Sequence, residues 1–423
     1  AFNYLDRFVL SLLLEPIKQE FLLSDSQLGL LTGFAFALFY AVAGIPIARW
    51  ADQGNRNTVV SVTTALWSAM VALCGLAGNY SQLLLVRVGV AVGEAGCLPP
   101  AQSLIADYFN RAERPRAMAI YWMCGPIAIF IGYLGGGWLA ESVGWRMTFV
   151  VMGVPGILLA ILVKLTLREP RLKQKAQLVI EPPPFKAVLS TLLQQHSFRH
   201  IATAFCVAYF FSMGILQWMP TFFIRSYGME TGELGTWLAF VWGVCGVFGS
   251  YLGGVLITRY AASKEALQMR AVAVAFVFSG IAFVMVFLSS NQYIGLAFVA
   301  TIGVLFNLCN GAVLSGIQSL VNDRLRSVAL ALIFLLANLV GFGLGPLAVG
   351  VLSDLFAPTF GQESLRYALL VLSPGYLWAA FYYWKASHTI ENDIRKVESV
   401  AGSIEMETAA LDADIPELSN ESI

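Results

Sequence analysis

Ala101-Gln102-Ser103-Leu104-Ile105-Ala106-Asp107 returns 216 residues later as Ile317-Gln318-Ser319-Leu320-Val321-Asn322-Asp323. Each copy closes a long apolar run, and the two align without a gap. Leu28-Gly29 and Leu234-Gly235, 206 residues apart, repeat in the same manner at the opening of another run. A hydrophobic chain whose halves repeat one another follows the plan of secondary transporters, whose sites lie where the repeats meet.

The composition agrees with that plan. The 423 residues are 58% hydrophobic and 12% charged, with a mean hydropathy of +0.71. Soluble domains carry roughly 25% charged residues. Apolar runs fall at 1–17, 27–48, 58–78, 81–107, 116–139 and 146–167, then at 200–224, 234–258, 271–290, 293–321, 327–353 and 366–386. Each is close to the roughly 20 residues a helix needs to cross a bilayer. The expected fold is therefore an all-α polytopic membrane protein, with twelve transmembrane helices in two pseudo-symmetric six-helix bundles. The expected organisation is a first bundle at 1–167, a linker at 168–199 rich in Pro, Lys and Arg, a second bundle at 200–386 and an acidic tail at 387–423. The tail reads as disordered, with a short helix at 391–410. Because Asp6 stands only six residues in, the first span is expected to begin before Ala1.

Arg49, Arg56, Arg111, Arg114, Arg116, the linker cations, Arg259, Lys264, Arg270, Arg324, Arg326 and Arg395 share one face. Lys18, Arg146, Arg225 and Arg366 hold the other. The basic face is expected to be cytoplasmic, with both termini inside and the protein in the plasma (inner) membrane. A net charge of zero gives no footprint for nucleic acid. Expected partners are the bilayer, protons and a small-molecule or lysolipid substrate, acting on a monomer.

Four ionisable residues interrupt the apolar runs: Asp6 and Arg7 in the first, Arg87 and Glu94 in the fourth. A charge at the centre of a membrane helix costs at least about 2.5–3.5 kcal/mol, so it marks either a polar pathway or an ion pair locking two helices. Carried by the repeat offsets, Asp6 maps to Ser212, Arg7 to Met213, Arg87 to Gly303 and Glu94 to Asn310. All four charges are neutral in the second half. A purely structural lock would be needed in both halves, so the asymmetry favours proton handling in the first.

The connection Ala48-Arg49-Trp50-Ala51-Asp52-Gln53-Gly54-Asn55-Arg56-Asn57 resembles the loop signature of the major facilitator superfamily. Asn55 stands for a glycine, a replacement compatible with a left-handed turn. Arg87-x-x-x-Ala91-x-Gly93-Glu94 resembles the superfamily's pattern in span four, and Gly345-Pro346 its Gly-Pro kink. Asn3-Tyr4-Leu5-Asp6-Arg7 with Gly93-Glu94-Ala95 is similar to the Spinster branch of lipid transporters. The resemblance covers residues 1–386. It implies alternating access and proton-linked movement of an amphipathic anion, a lysophospholipid or sphingosine phosphate. It also implies an inter-half clamp at Asp52, Arg56, Asp107 and Arg116, in which Asp52 meets the helix beginning near Ser327.

Asp6 and Glu94 are the expected proton sites. The expected substrate contacts are Arg7, Arg87, Asn3, Asn307, Asn310 and Asn338, since an Asn in lipid is costly without a partner. Arg87 and Glu94, seven apart, share a stripe about 10 Å long, from which Arg87 reaches toward Asp6. An anion that claims an arginine would strip a carboxylate of its counter-charge and make it take a proton. Tyr40, Trp67, Trp218 and Trp378 are among the aromatics able to wall an acyl chain. No metal, cofactor or enzymatic activity is expected: His196 and His200 lack a third ligand, Gly341-x-Gly343-x-Gly345 reads as helix packing, and no nucleophile–base set emerges. The competing readings are a proton-coupled exporter of small organic acids or drugs, and a passive scramblase or channel.

Overall fold

The computed structural model describes residues 2–110, 113–170, 190, 192–321 and 326–413. Span one is Phe2–Phe21, span two Asp25–Gln53, span three Arg56–Cys74 and span four Tyr80–Tyr108. Spans five and six fill Arg114–Thr166, broken at Gly144, whose φ of 80° and ψ of 164° suit a residue without a side chain. Span seven is His196–Tyr227, span eight Thr231–Tyr260, span nine Glu265–Leu288 and span ten Gln292–Ser319. Span eleven runs from Arg326 to Phe360, and span twelve starts at Ser364. Each lies on an expected run. Span one carries Asp6, Arg7, Glu15, Lys18 and Glu20.

Local chemistry sets the ends. Ser24 opens span two with a capping box to Gln27, Asn79 caps span four on the Gln82 amide, and Asn291 caps span ten. Asn55 departs from its expected left-handed turn. It is extended, with φ −86° and ψ 107°, and its side chain accepts from the Thr58 amide as the N-cap of span three. The last helix also departs from expectation: Gly375–Ala413 is continuous well past 386. Asp393 ties it down, accepting from the Ser197 amide at 2.8 Å, while Ser197 donates to Thr389 at 2.7 Å. Of the linker, 171–189 and 191 lie outside the described residues.

Leu158, Ile161, Leu162 and Leu165 on span six, like other outward-facing apolar side chains, are exposed where a hydrocarbon surround would cover them. Spans two, eight and eleven each contain a π-helical segment, at Leu30–Phe34, Ala239–Cys245 and Asn338–Leu344. These segments sit where a span packs against one of the other half: Gly33 lies against the Gly343 carbonyl and Gly243 against Phe130. The glycines of the 341–345 stretch serve helix packing, as expected: Gly343 meets Ala37 of the other half, while Gly341 against Tyr209 and Gly345 against Phe210 seat span eleven on span seven.

The halves meet at the end opposite the linker, called here the far side. Glu15–Arg225, Asp25–Arg225, Asp25–Ser353, Ser26–Asp354, Glu141–Gly232 and Trp138–Thr236 all join them there. On span two, burial is dense from Asp25 to Ala37, and from 38 to 50 no residue is buried. The molecule is closed on the far side and open on the linker side.

Candidate functional site

Asp6 and Arg7 are neighbours that point in different directions, as successive helical positions must. Asp6 Oδ2 accepts from Arg87 Nη1 at 3.0 Å, and both residues are buried, 2% and 1% exposed. Arg7 takes Glu94 instead. Its Nε donates to Glu94 Oε2 at 3.0 Å, and its Nη2 donates to the same oxygen. Two ion pairs thus stitch span one to span four. The expected approach of Arg87 to Asp6 is present. The Arg7–Glu94 pair is a contact the shared stripe does not give, because it depends on how span one is rotated against span four.

The pairs differ in access. The Arg7 side chain keeps 13% of its surface exposed, while Glu94 has none. Phe36, Tyr40 and Phe342 surround the guanidinium, with ring centroids 4.5, 5.5 and 5.2 Å from Cζ. Such contacts hold a cation by about 0.5–2 kcal/mol each, more when desolvated. Phe342 comes from span eleven, so the second half reaches the first half's charges. Glu94 Oε1, Asp6 Oδ1 and Arg87 Nε are buried and have no hydrogen-bond partner among the described residues. Each carboxylate engages its arginine through one oxygen only.

The remaining expected contacts are scattered. Asn3 lies on span one, its side chain outside what is described. Asn307 and Asn338 each donate back to their own helix, at Gly303 and Phe334. Asn310 is half-buried and makes no hydrogen bond among the described residues. At the position equivalent to Asp6, Ser212 accepts from the Tyr376 hydroxyl at 2.8 Å, and Phe211 fills the space against Gly375. Among the aromatics, Trp67 and Trp218 are packing residues, Trp378 faces outward, and Tyr40 alone of these four joins the site.

The four clamp residues do not act together in this conformation. Arg56, 1% exposed, stays within its own half: it meets Asp107 at 2.6 Å, Ser103 at 2.7 Å and, through its backbone amide, Glu169 at 2.7 Å. Its guanidinium also pairs with Glu169. Ser103 and Asp107 belong to the repeated stretch, which therefore serves to hold the loop after span two. Asp52 and Arg116 are exposed, and Asp52 has no hydrogen bond or ion pair among the described residues. The expected partner of Asp52, the helix start near Ser327, falls at 322–325 outside the described residues and at Ser327, whose side chain is not described. Glu169 had no signal beyond its place before a proline; Phe36 sits one turn before Tyr40, and Phe342 stands between two glycines.

The sequence profile of the Major Facilitator Superfamily matches residues 1–346. The chain belongs to the Major Facilitator Superfamily. Within it, the chain is 35% identical to an MFS-type efflux pump of Mycolicibacterium smegmatis, over 93% of this chain and 91% of that protein. Protein spinster homolog 1 of Xenopus tropicalis is 26% identical over 94% of this chain and 80% of that one. A solved bacterial homolog to the human lysosomal transporter Spinster, inward-facing and unoccupied, superposes with a TM-score of 0.82 at 29% identity, covering 93% of this chain and 95% of that one. Spinster-type major facilitator proteins are therefore its relatives, and its twelve spans form their fold.

Proposed function

We propose that this transporter exchanges an amphipathic organic anion against protons by alternating access, with Arg7 as the anion's contact and Glu94 as the proton carrier. The observation that carries the reading is the Arg7–Glu94 pair: a partly exposed arginine, ringed by aromatic faces, holding a fully buried carboxylate. A phosphate or carboxylate that grips the guanidinium bidentately removes the counter-charge from Glu94. A buried carboxylate without its cation takes a proton. When the anion leaves, Arg7 recaptures Glu94 and the proton departs. Asp6–Arg87, sealed behind this pair, keeps span one in register with span four.

The aromatic faces of Phe36, Tyr40 and Phe342 around Arg7 favour an amphipathic substrate, such as a lysophospholipid or sphingosine phosphate, over a small hydrophilic acid. The resemblance to a mycobacterial efflux pump supports a second reading, export of small organic acids or drugs by the same exchange. With the basic linker face in the cytoplasm of the inner membrane, the described conformation is inward-open, and the protein works as a monomer. Proteoliposome flux across a panel of lysolipids, sphingosine phosphate, fatty acids and short organic acids, with and without a proton gradient, tests both readings. Flux that follows the gradient and rises with acyl length supports the lipid reading. Flux of every substrate indifferent to the proton gradient overturns the exchange.

A further inference from the structure

The far side is closed by one contact made twice. Asp354, on span eleven, accepts from the Asp25 amide at 2.9 Å and the Ser26 amide at 2.8 Å, at the start of span two. Glu141, on span five, accepts from the Gly232 amide at 2.8 Å, at the start of span eight. Ser26 and Gly232 are 206 apart, and Glu141 and Asp354 are 213 apart. The same two offsets relate the backbones beside them. A Cβ on Gly350 would lie 2.3 Å from the Asp25 carbonyl oxygen, and one on Gly137 would lie 2.5 Å from that of Thr231. Both contacts join a carboxylate of one half to the first amides of a helix in the other.

We propose that Asp354 and Glu141 form a twofold clamp that holds the far side shut while the linker side is open. The reasoning is electrostatic and topological. The first amides of a helix lack intrahelical partners and carry the positive end of its dipole. A carboxylate from the opposite half satisfies them only while the halves touch. Opening the far side breaks both contacts, returning amides and carboxylates to water. The clamp is therefore tight enough to define the closed state and weak enough to release. The two copies are reinforced unequally. Beside Asp354, the Asp25 side chain also takes Arg225, Lys18 and Ser353, and Arg225 takes Glu15. Beside Glu141, the equivalent Thr231 hydroxyl only donates to the Gly137 carbonyl at 3.2 Å. The span five–span eight copy is the weaker and releases more readily.

The inference rests on alternating access but on no substrate, so its test needs none. Spin labels at Leu76 and Ser290, exposed on far-side connections of the two halves, report their separation in detergent or nanodiscs. Glu141→Ala and Asp354→Ala should each enlarge the far-side-open population by about two- to thirty-fold, the range for a charge at a helix N-terminus. The double variant should exceed either. Glu141→Gln and Asp354→Asn keep the side-chain shape, and should shift the distances less while eluting as the wild type. Glu233→Ala, an exposed acid that meets Tyr293 within the second half, should leave the distribution unchanged. An unchanged distribution in the double alanine variant, or in the Gln/Asn pair should the alanine protein not fold, would overturn the clamp and leave closure to the glycine seam alone.

Discussion

Arg7 holds Glu94 across 87 residues of chain while the Asp6 beside it holds Arg87, so two adjacent residues of span one serve two separate pairs on span four. One pair is within reach of the opening and the other is sealed. That division orders the predictions about charge.

Arg7→Ala leaves Glu94 buried without a cation, which for a buried pair costs about 3–5 kcal/mol. Thermal unfolding should show a clear loss. Arg7→Ala combined with Glu94→Gln removes the orphaned charge and should recover much of it. Equal stability of the single and double variants would mean that Glu94 already carries a proton beside Arg7.

Glu94→Gln should leave anion binding intact or tighter, because Arg7 no longer has an internal competitor, and should flatten the pH dependence of exchange. Calorimetric binding measured across pH separates the two effects. A pH profile identical to the wild type places the coupled proton elsewhere, with Asp6 the next carboxylate to test.

Asp6→Asn should lower both stability and transport, since it strands Arg87, a cation 1% exposed. Arg87→Lys should keep more of both than Arg87→Ala, because an ammonium still answers Asp6. Asp6→Asn with wild-type melting and flux would reduce the sealed pair to a bystander.

Gly29→Val should push the far side apart: even a Cβ there would lie 2.6 Å from the Pro346 carbonyl oxygen. Gly44→Ala is the matched control on the same span, where a Cβ meets nothing within 4 Å. The labels at Leu76 and Ser290 should report longer distances for the first variant and none of that change for the second.

Asp52→Ala should leave this conformation untouched, because Asp52 has no hydrogen bond or ion pair among the described residues, and should weaken the state in which the linker side closes. Slower flux with an unaltered far-side-closed structure is the expected result. Wild-type flux would make Asp52 an ordinary solvated acid.

The architecture was readable because the evidence for it is redundant. Twelve apolar runs, a repeat of seven residues and a one-sided distribution of Lys and Arg point the same way. The four intramembrane charges were readable because charge in an apolar run is costly and therefore rare. Their pairing was only half readable: Arg87 with Asp6 follows from a shared stripe, while Arg7 with Glu94 depends on how span one is rotated against span four. Phe36 and Phe342 were hidden among the chain's 29 phenylalanines. Glu169 was hidden in a polar connection, although it grips Arg56. Glu141 and Asp354 carry no local signature, since a cap supplied by the other half has no fixed spacing in sequence.

Where Gly350 meets Asp25 and Gly235 meets Tyr133, main chain lies directly on main chain. An interface of long side chains can loosen by degrees, one rotamer at a time, and so passes through many intermediate gaps. Peptide planes in contact have no such play. The seam is either seated along its length or parted along its length, so the molecule has a latch where a softer protein would have a spring. A compound meant to wedge those peptide planes apart finds no gap between them in the seated position. It must wait for the parted one and fill a slot whose walls are bare backbone, rich in amide donors and carbonyl acceptors.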